Sequence, residues 1–196
     1  MSDRVRFRPL ALDGDLDLVH GWMQQDHVAP WWNLRGPRDA SERYLRAELA
    51  RDHVRSWVVE ADGAPVGFVQ SYRVADDPLA AAYAAGPDDR GWHVLLGERE
   101  RLGDGTARRL GRDLLCGLLA EPGVAQAVCE PDERNGRMRR FCAALGGEEA
   151  GRFPFDGKPA VLVRWTRRAV AERWPRALAA AEAAGRRWDA LGEGTR

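Results

Sequence analysis

Gly91-Trp92-His93-Val94-Leu95-Leu96-Gly97 and, just downstream, Leu102-Gly103-Asp104-Gly105-Thr106-Ala107 are the stretch that decides the fold of this 196-residue chain. A short apolar run ends in glycine, charged residues follow, and a glycine pair then opens a helical pattern. Strand, glycine turn and helix N-terminus together present unpaired backbone N–H groups to an anion. The helix dipole adds about half a positive charge at that end. A cofactor pyrophosphate is the ligand this arrangement suits best. His93 alternates with apolar neighbours on the strand, close to whatever that cofactor delivers.

Outward from this centre, Val5 to Leu10 reads as a strand, and Asp13 or Asp15 as the cap of a helix through Leu16, Val19 and Met23. Pro30-Trp31-Trp32 and Gly36-Pro37 read as a loop, and Ser41 as the start of a helix through Tyr44, Leu45 and Leu49. Ser56–Ala61 and Pro65–Tyr72 form a hairpin on Asp62-Gly63. An irregular connection, Asp76 to Asp89, leads to the Trp92–Leu96 strand, and Thr106–Leu119 is a helix with Leu110, Leu114, Leu115 and Leu118 on one face. A strand at Ala125–Cys129 and a helix at Arg134–Leu145, stopped by Gly146-Gly147, come next. Phe153–Phe155 and Ala160–Trp165 close a hairpin around Asp156-Gly157, and Arg168–Leu191 reads as one long helix. The pattern is mixed α/β (α+β): antiparallel strands first, α–β crossovers afterwards. Residues 1–167 make the domain, and 168–196 a helical extension packed on it or trailing from it.

Bulk composition narrows the function. The chain is 44% hydrophobic and 31% charged, with 30 basic and 30 acidic residues, so no global field recruits nucleic acid or an anionic membrane. Cys116, Cys129 and Cys142 form no ligand pattern, which points to buried thiols in a reducing cytoplasm and to chemistry without a metal. The charged N-terminus lacks a signal-peptide core, and no apolar run reaches the ~18 residues of a membrane helix. The arginine-rich tail reads as a solvated helix or a homodimer contact.

Several motifs occur in order: Trp22-Met23, Pro30-Trp31-Trp32, the Gly91–Gly97 run, Leu102-Gly103-x-Gly105 and Glu130-Pro131-Asp132-x-x-Asn135. The chain thereby resembles the GNAT acetyltransferase superfamily, whose signature is Arg/Gln-x-x-Gly-x-Gly/Ala. Gly105 and Ala107 match it, while Leu102 departs at the Arg/Gln position. The ordered set is similar to siderophore-biosynthesis acyltransferases acting on N-hydroxylated lysine or ornithine, and aminoglycoside 6'-N-acetyltransferases share part of it. The resemblance implies a GNAT fold, a twisted and mostly antiparallel mixed sheet of about seven strands flanked by helices. It implies acetyl-CoA or another acyl-CoA as co-substrate and a small-molecule amine or hydroxylamine as acceptor. It also implies that His93 and Asp132 face each other across the transfer site.

Each residue carries a functional and a structural reading. His93 is an acid–base group or a satisfied strand histidine; Asp132 is a base, a substrate anchor or a helix cap. Leu102, Gly103, Asp104, Gly105, Thr106 and Ala107 form the phosphate turn, with Arg108 or Arg109 within reach of phosphates. A backbone N–H from Val94, Leu95 or Leu96 is the natural oxyanion donor. Asn135 bonds the pantetheine or caps its helix. Trp31 and Trp32, with Trp22, line the acceptor pocket or fill the core. Cys142 occupies the position where many superfamily members carry a Tyr, and a buried thiol is a poor replacement acid.

Overall fold

The computed structural model describes residues 5–185. Seven strands form one sheet in the order β1-β2-β3-β4-β5-β7-β6. They are β1 (Arg6–Pro9), β2 (Val54–Ala61), β3 (Ala64–Arg73), β4 (Arg90–Leu96), β5 (Gln126–Cys129), β6 (Glu148–Phe155) and β7 (Lys158–Thr166). The first four strands pair antiparallel in sequence, as do β5–β7 and β7–β6; β4 and β5 meet parallel. Parallel neighbours need a crossover, and α4 (Thr106–Leu119) supplies it.

Helices α1 (Leu12–Met23), α2 (Ala29–Trp32) and α3 (Arg38–Leu49) precede β2. Leu16, Val19, Met23 and Leu45 pack with Val58, Phe68 and Leu95 on one sheet face. On the other, Leu110, Leu114 and Leu118 of α4 pack with Trp92, Val161 and Trp165. Helix α5 (Gly136–Ala144) and the tail helices α6 (Arg167–Arg173) and α7 (Pro175–Ala183) join this second core through Cys142, Val170 and Leu178.

Local readings shift in places. Neither Asp13 nor Asp15 caps α1; its N-cap is Ala11, whose N–H donates to the Asp15 carboxylate at 2.8 Å. That carboxylate is buried against Arg8 at 2.7 Å, so it works as an ion-pair partner. Helix α3 begins three residues before Ser41, which is buried and bonded to His20 Nδ1 at 3.0 Å. Trp31 and Trp32 sit in a helical turn rather than a loop, ended by Asn33 at φ 51. Strand β6 starts at Glu148, well before Phe153. The single tail helix breaks at Trp174, because Pro175 has no N–H to continue it. Its last predicted turn lies outside the described residues.

Gly97 ends β4 for a reason of space. A Cβ there would lie 2.0 Å from Trp22 Cγ, so the indole lies against bare backbone. Trp22 Nε1 then donates to Glu98 Oε1 at 2.8 Å. Trp22 is therefore core, and only Trp31 and Trp32 of that trio line the cleft described next.

Candidate active site

The site arises where the sheet splits. β4 and β5 are in register only at Arg90–Ala127 and Gly91–Val128. Beyond this seam the β5 side follows β7 instead: Val161 N–H donates to Pro131 O, and Asp132 bridges to Ala160. The ladder between β3 and β4 has bonded pairs at Gly97–Val66 and Val74–Asp89, and the register is unbroken between them. By the alternation of antiparallel ladders, Val94 and Leu96 therefore turn their backbone N–H and C=O away from β3, into the gap. The gap is a cleft of about 930 Å³ lined by His93, Val94, Leu95, Leu96, Leu102, Gly103, Ala107, Glu130, Asp132 and Asn135, with Trp31 and Trp32 at one side.

The seam register also explains a pairing. Two residues past Gly91 and Val128, His93 and Glu130 fall on the same face. His93 Nε2 lies 2.7 Å from Glu130 Oε1, and Tyr72 OH donates to Glu130 Oε2 at 3.0 Å. Lys158 Nζ stands 4.0 Å from the same carboxylate. Burial alone would raise the Glu130 pKa, but His93, Lys158 and the Tyr72 hydroxyl bring it below the usual value. Burial likewise pushes His93 down, yet the carboxylate outweighs it and the net shift is upward. With Nε2–H donated to Glu130, Nδ1 is the ring nitrogen left to take up a proton, and the side chain lines the cleft 40% exposed.

Asp132 lines the same cleft, but its contacts lie elsewhere. Arg134 holds it bidentately at 2.9 and 2.6 Å, and the Arg134 N–H adds 2.8 Å. That guanidinium, with the backbone N–H, holds the carboxyl down to about 2. Asp132 does not cap α5; Asn135 does, accepting from Met138 N–H at 3.0 Å. Arg134→Ala is expected to bring the Asp132 carboxyl back up towards 3.8, read by NMR titration of its carboxyl carbon. A carboxyl that stays near 2 would place the cause in the backbone N–H alone.

Glycines 103 and 105, at φ 93 and 92, make the turn before α4, a backbone shape that favours glycine. Asp104, Gly105, Thr106 and Arg108 lie outside the cleft lining, beyond Gly103 and Ala107. Thr106 is buried, and its hydroxyl accepts from Arg109 at 2.9 Å. Arg108 is exposed. Asp104 Oδ1 accepts from Thr106 N–H at 2.7 Å, which lowers its pKa and puts a carboxylate on the N–H an anion would use. Asp104→Asn is expected to lower the KM for acyl-CoA by about two- to fivefold at low salt, an effect fading at high salt. An unchanged KM would mean that phosphates bind away from this turn.

The residues present fit a long ligand carrying amides and phosphates. Trp92 is fully buried, lines the cleft, and its Nε1–H finds no acceptor among the described residues. Such an orphaned donor costs about 1–3 kcal/mol until a ligand carbonyl meets it. Val94 offers its backbone N–H and C=O and Leu96 its N–H, the Leu96 carbonyl already lying 2.9 Å from His27 Nε2, and the glycine turn offers N–H groups beyond. The motif at Glu130 was visible in the sequence without its role. Arg137 and Lys158, which also line the cleft, had no sequence signal. Cys142 is buried with its Sγ 3.7 Å from Cys129 Sγ, and both remain free thiols.

The comparisons agree with this architecture. The acetyltransferase (GNAT) domain family matches residues 11–155. The chain is 34% identical over 155 residues to N-hydroxyputrescine acetyltransferase of Acinetobacter baumannii, covering 79% of this chain and 74% of that one. Lysine N-acyltransferase MbtK of a Mycobacterium species is 28% identical over 147 residues, covering 74% of this chain; the chain spans 60% of its length. Among solved structures, aminoglycoside acetyltransferase AAC(6')-Ib in complex with coenzyme A superposes with a TM-score of 0.77 at 29% identity, over 87% of this chain and 99% of that one. A sheet parted at a parallel seam, a glycine turn opening α4 and a family match over most of the chain have one meaning: the chain belongs to the GNAT acetyltransferase family, the acyl-CoA-dependent N-acyltransferases.

Proposed function

We propose that the protein transfers an acyl group from acyl-CoA to the N-hydroxylated amine of an aliphatic acceptor, by direct attack within a ternary complex, in siderophore biosynthesis. The observation that carries the reading is the His93–Glu130 pair in the cleft, with the Trp32 and Tyr72 rings 6.3 and 5.2 Å from the imidazole. A hydroxylamine is much less basic than an amine and arrives neutral at pH 7, so the site has to orient it and take one proton during attack. Glu130 fixes the tautomer, Nδ1 takes the proton, and Tyr72 fixes Glu130 in turn. The Val94 or Leu96 N–H holds the oxygen that gains charge. Bound acyl-CoA supplies the thioester: the C–S bond breaks as the C–N bond forms, and CoA leaves as a thiolate that takes its proton from solvent. Asp132, ionised at any working pH, anchors the acceptor's polar end or competes for Arg134.

Relatives named for N-hydroxyputrescine and N(6)-hydroxylysine support the acceptor class. Three buried free thiols fit a reducing cytoplasm. A polycationic aminoglycoside would call for a broad acidic wall. Of Asp76, Asp77, Asp88 and Asp89, only Asp77 lines the cleft. Asp89 is buried under Tyr83, Gly86 and Gln126.

The test is thiol release from acetyl-CoA with N-hydroxylated aliphatic amines, their unhydroxylated parents and kanamycin as acceptors. Preference for the hydroxylated compounds is expected. Turnover of kanamycin alone would replace this reading with drug modification.

A further inference from the structure

Beyond the seam the outward edge of β4 has no strand partner, and the Leu96 carbonyl on it is taken by a side chain instead. His27, which lines the cleft, has its Nε2 2.9 Å from that oxygen. A carbonyl oxygen only accepts, so Nε2 carries the proton and donates it. The other ring nitrogen, Nδ1, is buried and meets no partner among the described residues. The imidazole is therefore held by one hydrogen bond, and that bond ends on the strand edge.

His27 stands in the link between α1 and α2, and this link is tied twice to the end of β4. Just before it, Trp22 lies on Gly97 and donates to Glu98. Near its end, His27 donates to Leu96. The backbone around His27 is fixed in series. Val28 and Ala29 N–H donate to Gln25 O at 2.9 and 2.8 Å, and Trp31 and Trp32 N–H to Val28 O at 3.0 and 3.3 Å. A shift of His27 thus moves the turn that carries Trp31 and Trp32. Trp32 stands edge-on to His93 with ring centres 6.3 Å apart, and edge-on to Tyr44 and Phe68 at 6.2 and 5.6 Å. Apolar packing is non-directional and keeps the ring in place without setting its distance from β4. A hydrogen bond sets both a length and an angle.

Resting on the transfer site proposed at His93, whatever amine it takes, we propose that His27 is a positioning residue for the acceptor. Its bond to Leu96 is a strut that sets the Trp31–Trp32 wall against the free edge of β4. An acceptor lying on Trp32 then stands between His93 and the backbone that faces acyl-CoA.

Two variants test the strut. His27→Leu removes the donor and keeps an apolar side chain of similar reach, while His27→Gln keeps an N–H donor near the Nε2 position. Acetyl-CoA is the donor, and N-hydroxyputrescine and kanamycin are both offered as acceptors. His27→Leu is expected to raise the KM of the acceptor that is used by about three- to tenfold, the scale of one hydrogen bond. The KM for acetyl-CoA and kcat should hold, because the Val94 N–H and C=O and the Leu96 N–H are untouched. His27→Gln should recover most of the loss. Hydrogen exchange read by mass spectrometry needs no acceptor. It should show faster exchange over residues 28–33 in His27→Leu than in the wild-type protein or His27→Gln, with β3 and α4 unchanged. An unaltered acceptor KM in His27→Leu overturns the proposal. So does a His27→Gln variant as impaired as His27→Leu, or an equal loss for both substrates. Turnover of neither acceptor would remove the proposed function, and the exchange pattern alone would then decide the strut.

Discussion

His93→Ala is expected to lower kcat by about 10²–10⁴-fold, the scale of general acid–base help, while the KM for acyl-CoA holds. The variant removes Nδ1 but leaves Val94 and Leu96, the backbone that faces the gap. The pH profile is the sharper test. Activity should rise with pH as His93 loses its proton, and because its pKa is raised the midpoint of the acid limb should lie above 6.5. Glu130→Gln removes the group that raises it and leaves burial, which lowers it, so the limb should move below 6.5. The same variant should lose about 10–100-fold in rate, because a hydrogen bond that orients an active group is weakened. An acid limb that stays in place in Glu130→Gln would remove His93 as the titrating base.

Gly97→Ala is expected to destabilise the fold by about 1–3 kcal/mol, the range for overpacking a core. The added carbon meets the Trp22 ring at 2.0 Å, and the indole cannot simply swing away without giving up its bond to Glu98. Guanidinium unfolding should show a lower midpoint with an unchanged m-value. Combined with Trp22→Leu, the loss should be less than the sum of the two single losses, because the clash exists only when both groups are present. An unaltered midpoint in Gly97→Ala would mean that the ring relocates without cost.

The strand–turn–helix centred on Gly91–Ala107 was legible because it is local: apolar alternation, then glycines, then an amphipathic repeat in α4. The seven-strand sheet followed from element order and the family resemblance together. The partner of His93 was not legible. Glu130 stood in the quoted motif, but it meets His93 across 37 residues through a two-residue parallel register, and nothing in a sequence prints that register. The place of Asp132 beside the same cleft came only through the resemblance, since spacing does not show which residues line a cleft, and its contact with the adjacent Arg134 carries no sequence signal. The tail reads as one continuous helix because its alanine and arginine content favours helix throughout, while Pro175 acts on the backbone alone.

The short parallel seam has a consequence for motion. β4 is central in the sheet, yet on one side its last residues have no strand neighbour. Its amides should therefore divide by parity in hydrogen exchange. His93 and Leu95, bonded to β3, belong to the slow class of a protected core. Val94 and Leu96 should exchange like the rim of a sheet, and slow only when a ligand lies along them.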